Sequence, residues 1–429
     1  MKADFSALPF RPADILLPQD CDYDKWSVVA CDQYTSQPEY WQRVEERVGR
    51  APSALRLILP ESSLDGPHVE MDIMEINSTM SRYVREGRFK TLPGAMIYVE
   101  RTLFHGRVRR GLVGMADLTA YDYEPGSDAL IRATEGVVMS RIPPRVAVRK
   151  NAPIELPHAM LLADDPGRTV IEPLAEQTGT MELLYDFDLM EQGGHIKGWR
   201  LTEMQLEQVA GALSALADPA AFHAKYGAEG QAVMLFAMGD GNHSLATAKE
   251  CYERQKRLAP REKWDTMPSR FALCELVNLH DESLEFEPIH RVVFHTEPEV
   301  LLDAFVDRCP GFRRGEAREG GLPVRYVYAG AEGVITLPRD PAQLPVGTLQ
   351  SFLDDYLMDH PGRVDYIHGE DVAREFAARP GNIAFLLPPM AKEELFPSVI
   401  HGGVLPRKTF SMGEAHDKRF YLEARRIRE

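Results

Sequence analysis

Every position from Ala232 to Met238 is apolar, and the run ends directly in Gly239-Asp240-Gly241-Asn242-His243-Ser244. An uninterrupted apolar run of this length predicts a strand over 231–238 that is buried on both faces. Helical spacing from Leu245 to Leu258, stopped by Pro260, predicts a helix immediately after it. A buried strand, a glycine-rich turn and a helix in succession require layered packing of helix on sheet.

The junction has its own chemistry. A helix N-terminus presents backbone N–H groups without partners and carries partial positive charge, so it attracts anions. Gly239 and Gly241 permit a tight turn and close approach of the backbone to a ligand. Asn242 or Ser244 can cap the helix. His243 can donate to a phosphate oxygen or act as acid or base. Asp240 can hold a metal or accept a substrate proton. The alternative is plain turn chemistry, with Asn242 as a cap and nothing more. The spacing matches neither GxxxxGK[ST] nor GxGxxG, so generic motifs do not name a ligand.

The chain has 429 residues, 44% hydrophobic and 27% charged. That length exceeds what one core usually organises, and two packed subdomains are expected. Residues 1–20 read as an irregular proline-rich arm. Helices are expected at 38–48, 69–86, 201–217, 299–308, 349–358 and 371–378. Strands are expected at 95–101 with its hairpin partner 107–118, and at 272–279, 324–329 and 383–387. The fold class is α+β, with mixed sheets and no clean βαβ alternation. A polar stretch at 218–230 suggests a division into 1–225 and 226–429.

Arg141-Ile-Pro-Pro-Arg145-Val-Ala-Val-Arg149 contains two prolines and reads as extended chain. Arg141, Arg145 and Arg149 then share one face, roughly 13 Å apart, with Ile142, Val146 and Val148 on the other. Such a stripe is either a phosphate-neutralising surface or a solvated face bearing ion pairs.

Net charge is −16 and the pI is near 5.4. An acidic chain argues against nucleic acid as a partner. Cys21, Cys31, Cys251, Cys274 and Cys309 are odd in number and lack CxxC spacing, which predicts reduced thiols rather than disulfides or a zinc site. The first 18 residues lack the pattern of a signal peptide, and no apolar stretch approaches a membrane span of about 20 residues. A cytoplasmic protein acting on small molecules is expected, its oligomeric state left open.

The loop at 239–244, continued by Leu-Ala-Thr-Ala, resembles the signature (A/G)-D-G-H-H-R-x-x-T-A of the domain of unknown function 1015 (DUF1015) family. Further stretches match in the same order: Val29-Ala-Cys-Asp32, Arg132-Ala-Thr-Glu135, Pro288-Ile-His290-Arg291, Val364-Asp-Tyr-Ile-His368 and Leu405-Pro-Arg-Lys408-Thr409-Phe410. The family's loop is similar to the phosphate-binding loop of the ParB and sulfiredoxin superfamily, which includes free-serine kinases. The resemblance implies such a loop at a strand–helix junction. It also implies transfer of a phosphoryl group from pyrophosphate or a nucleotide (ATP or ADP) to a hydroxy amino acid such as L-serine. This chain departs from the pattern at Asn242, at Ser244, where the family has arginine, and at Thr134.

On that reading Gly239, Gly241, Asn242, His243 and Ser244 hold the donor phosphate, and Arg141, Arg145, Arg149 and Lys408 neutralise developing charge. Asp240 or Glu135 holds magnesium, and Asp32 or Glu135 takes the acceptor's proton. Asp32 has a second possible role as a helix cap, Glu135 as a turn residue and Lys408 as a surface lysine. The competing functions are a non-catalytic phosphate or nucleotide sensor and a metal-dependent hydrolase.

Overall fold

The structure, a computed structural model, describes residues 3–35, 37–64, 66–308, 313–315, 321–337, 344–406 and 408–428. Cys309 lies outside the described residues. The remaining four cysteines are free, Cys251 and Cys274 buried and Cys21 and Cys31 half-buried.

The apolar run forms a strand at Phe236–Asp240, beginning later than expected and continuing through Gly239 and Asp240. It is hydrogen-bonded on both sides, antiparallel to Met160–Ala163 and parallel to Ile131–Arg132. Phe236, Ala237 and Met238 are fully buried, as the unbroken apolar pattern requires. Met160 pairs with Asp240 and Leu161 with Met238, which leaves Gly239 as the extra residue of a bulge.

Among the described residues this strand belongs to a ten-stranded mixed sheet. The same sheet includes Phe271–Asn278, Val108–Asp117 and Ile97–Thr102; the last two form the expected hairpin, with Tyr98 opposite Leu112. Helix Glu203–Leu216 begins in a capping box of Thr202 and Gln205. Residues 3–20 are not an irregular arm. They supply strands Phe10–Arg11 and Ala13–Pro18, with Pro12 between them and Pro18 at the end, where the missing N–H costs least.

The chain divides into two compact units. One comprises residues 1–133, 137–284 and 413–429, and the other 134–136 and 285–412. The division expected at 225/226 falls inside the first unit. The polar stretch there is helix Pro219–Tyr226, capped by Asp218 and ended by left-handed Gly227, and the chain returns from it into the same sheet. Among the described residues the second unit has a seven-stranded sheet with Phe286–Phe294 beside Ile383–Leu386 and Arg363–His368. Helices Pro298–Arg308 and Pro345–Asp359 pack on it through Phe305, Leu349 and Phe352. No helix among the described residues is long and apolar enough to cross a membrane.

The first unit holds a dense set of buried ions. Glu155 accepts from Arg425 Nε at 2.7 Å and from the Leu273 amide at 2.9 Å, and pairs with Arg149. Burial alone would raise its carboxyl, but Arg425 and Arg149 outweigh burial and hold it below the ordinary range. The unfolded chain therefore binds the proton first, and stability falls as pH drops below the usual glutamate value of about 4.3. Thermal midpoints measured from pH 6 to pH 3 are expected to fall steeply in that window. Glu155→Gln should flatten the fall and lower the plateau; an unchanged slope would refute the assignment.

Candidate functional site

The strand Phe236–Asp240 delivers Asp240 to the mouth of helix Asn242–Leu258, and Gly241 makes the turn. Gly241 has φ +78°, and a Cβ there would lie 2.8 Å from the Ala159 Cα. Gly241→Ala is expected to cost about 1–3 kcal/mol and to move the loop, because both backbone conformation and contact oppose it. Gly230 has φ +79° with nothing within 4 Å. Gly230→Ala should therefore cost less in the same denaturation assay, and equal losses would show that the Ala159 contact does not matter.

The helix starts three residues earlier than expected. Asn242 and Ser244 thus lie within its first turn, and neither side chain caps it. The first-turn N–H groups face away from the helix's own carbonyls, as at any helix N-terminus. Asn242 Oδ1 is buried without a hydrogen-bond partner. Asp240 Oδ1 accepts from the Gly241 amide at 2.8 Å, and its Oδ2 lies 3.4 Å from Lys418 Nζ. His243 Nε2 accepts from the Val138 amide at 3.1 Å. That bond puts the proton of the neutral ring on Nδ1 and limits His243 to donating from that nitrogen.

Arg141–Arg149 is not extended. Ile142–Arg149 is a helix, with Pro143 and Pro144 in its first turn, where proline is tolerated. A spacing of four residues keeps the three arginines on one side of a helix as well. Ile142 and Val146 pack against Ala246 and Cys251 of the loop helix. The guanidinium groups are nonetheless engaged. Arg145 lies 2.8 Å and Arg141 3.8 Å from Glu61 Oε1, and Arg149 pairs with buried Glu155.

Asp32 follows strand Val28–Val29, which pairs with Phe420–Tyr421 near the end of the chain. Its carboxyl accepts from Gln33 Nε2 at 3.1 Å. Burial would raise this group, but His158, Gln33 and Lys418 together hold it below the ordinary carboxylate range. Asp32 therefore stays ionised at neutral pH. His158 Nδ1 is 2.7 Å from the Tyr421 hydroxyl, and both residues are buried.

The segment bearing Lys418 is held rigidly. Arg101, 2% exposed, donates to the carbonyls of Gly193, His416, Asp417 and Lys418. Burial first, and then Arg109 and Arg419, lower its pKa to about 9. Arg419 donates to Glu275 at 2.8 Å, to Glu423 at 2.7 Å and to the Pro157 carbonyl at 2.8 Å.

Within the first unit, then, Asp32, Asp240, His158 and Lys418 converge on the Gly239–Ser244 loop. His158, Lys418 and Tyr421 are absent from the sequence-based set. The available signal was Lys418-Arg419-Phe420-Tyr421, a pair of cations before a pair of aromatics in an acidic chain. Glu135 and Lys408 belong to the second unit. There Glu135 accepts from the Thr409 amide at 3.3 Å, and burial pushes its carboxyl upward despite the Lys408 and Thr409 amides. The Lys408 carbonyl accepts from Arg291, which is fully buried and also donates to Gln350. Arg291 thus braces that unit. Among the described residues no group of three or more His, Cys, Asp or Glu side chains is arranged to hold a metal ion.

A family model described as "Protein of unknown function (DUF1015)" matches residues 10–352. No curated protein matches the chain. Among solved structures, free serine kinase in complex with AMP is 12% identical with a TM-score of 0.39, covering 72% of this chain and 90% of the other. A mutant of free serine kinase in complex with ADP is 12% identical with a TM-score of 0.40, covering 74% and 92%. A conserved hypothetical protein from Pyrococcus furiosus is 12% identical with a TM-score of 0.37, covering 73% and 94%.

Proposed function

We propose that this chain, which belongs to the DUF1015 family, is a small-molecule phosphotransferase whose Gly239–Ser244 loop holds the donor phosphate. The donor is pyrophosphate or ATP/ADP, and the acceptor is a hydroxy amino acid such as L-serine. The observation that carries this reading is the meeting of Asp240 and Lys418 at the N-terminus of helix Asn242–Leu258, 3.4 Å apart. A fixed cation, a helix N-terminus and an ionised carboxylate are the parts that phosphoryl transfer asks of a protein.

The roles follow from the surroundings. First-turn N–H groups donate to the phosphate oxygens, and Lys418 offsets the charge that builds up on them. Asp32, kept ionised by His158 and Lys418, accepts the acceptor's hydroxyl proton. The carboxylate of Asp240 suits magnesium, which takes one or two protein carboxylates besides phosphate and water. Bound there, magnesium would screen the donor's negative charge. Lys418 fills the part expected of the arginine stripe, whose cations are neutralised by Glu61 and Glu155.

The protein incubated with magnesium, amino acids and sugars, and each donor in turn, should give a phosphomonoester signal by phosphorus NMR. Saturable donor binding with no product from any acceptor would refute the kinase reading. It would favour the second one, a phosphate or nucleotide sensor, which the engaged state of Arg141, Arg145 and Arg149 supports.

A further inference from the structure

Glu61 is set beside Asp32 by the backbone. Its amide donates to the Cys31 carbonyl at 2.8 Å, one residue before Asp32. Its carboxylate faces two cations, Arg145 at 2.8 Å and Arg141 at 3.8 Å. Burial pushes the Cys31 thiol up to about 12, and the charges of Asp32, Arg145 and Glu61 also bear on it, so all three lie around the Cys31–Asp32 turn. The helix that carries the arginines is tied to the phosphate loop. Ile142 and Val146 pack on Ala246 and Cys251. The Val138 carbonyl accepts the Arg141 amide at 2.9 Å, and the Val138 amide donates to His243.

The charges in this group do not balance. Arg141 and Arg145 share Glu61 Oε1, which leaves one positive charge over. Arg141 is the looser partner, with its side chain 54% exposed, and among the described residues Glu61 Oε2 accepts no hydrogen bond. The group therefore offers a cation to a carboxylate and a carboxylate oxygen to an ammonium. We infer that Arg141, Arg145 and Glu61 form the acceptor subsite and that it takes a zwitterion. The arginines hold an α-carboxylate, Glu61 holds an α-ammonium, and the hydroxyl is left beside Asp32. A molecule as short as L-serine reaches Asp32 only if its charged end is held at this turn. The inference rests on the phosphotransfer reading above and adds the residues that choose the acceptor.

The intact protein is titrated by NMR with L-serine, with ethanolamine, which lacks the carboxylate, and with 3-hydroxypropanoate, which lacks the ammonium. The wild type should bind L-serine about tenfold more tightly than either analogue. Arg141→Gln should weaken L-serine and 3-hydroxypropanoate about tenfold, the worth of one charge-assisted hydrogen bond, and leave ethanolamine within roughly twofold. Glu61→Gln should weaken L-serine and ethanolamine by a similar factor and leave 3-hydroxypropanoate equal or tighter. Arg141 is exposed and Glu61 is anchored through its amide, so both variants should fold. Equal binding of the three ligands by the wild type, or equal losses for all three in either variant, overturns the inference. L-serine bound with this pattern, but no phosphomonoester from any donor, refutes the phosphotransfer reading and leaves an amino-acid site standing. A phosphomonoester formed on a sugar, with no binding of L-serine, upholds phosphotransfer and overturns the subsite.

Discussion

Replacing Arg419 by methionine is expected to lower unfolding stability by about 3–5 kcal/mol, the cost of removing one partner from a buried ion cluster. Arg419 is 4% exposed, and its partners Glu275 and Glu423 are 4% and 1% exposed. Methionine fills much of the volume but leaves both carboxylates without this guanidinium, and the Pro157 carbonyl without a donor. The pair Arg168–Glu282 provides the comparison: it is exposed, at 3.0 Å, and Arg168→Ala should change stability by no more than about 1 kcal/mol. The contrast arises from desolvation rather than from the number of contacts. Arg419 also links Pro157, next to His158, with the segment that bears Lys418 and Tyr421. Its loss should therefore weaken phosphate binding even where folding survives. Guanidinium denaturation measures the first effect, and a loss below about 1 kcal/mol would show that the cluster relaxes around the change.

The second large effect concerns chemistry rather than stability. Asp240→Asn should reduce turnover by about 10²–10⁴-fold, the usual worth of a group that manages a proton or its charge. The substitution is nearly isosteric, and the amide oxygen can still accept the Gly241 N–H that Asp240 Oδ1 accepts now. Folding should accordingly survive. Removing a negative charge beside Lys418 should leave pyrophosphate binding, measured without magnesium, equal or tighter. Lost turnover with retained binding separates a role in transfer from a role in holding the anion. Retained turnover would remove Asp240 from the mechanism.

Much of the scaffold was legible because periodicity is a local property. Helix Pro38–Val48 and the hairpin of Ile97–Thr102 with Val108–Asp117 follow directly from spacing. The strand–turn–helix junction was legible too, since an unbroken apolar run that ends in glycine and is followed by helical spacing has few other foldings. The arginine segment was misjudged for a physical reason. Two prolines exclude a helix interior but not a first turn, and the next residues, Arg145-Val-Ala-Val, have no preference strong enough to decide. Packing of Ile142 and Val146 on the loop helix decides it. The unit division was missed because strand Phe236–Asp240, beyond the expected boundary, pairs with Met160–Ala163, and because residues 413–428 return to the first unit, long-range events that leave no local mark. The same return brings Lys418 and Tyr421 to residues 28–32 and 158, so the site's cation was invisible to any reading of the loop alone.

The central claim is that a phosphate group binds at Gly239–Ser244 beside Lys418. Titrating pyrophosphate into nitrogen-15-labelled protein tests it most directly. The account predicts saturable shifts of the Gly241, Asn242, His243 and Ser244 amides, lost in Lys418→Met. Shifts confined to the second unit, or none at these four amides, would contradict it.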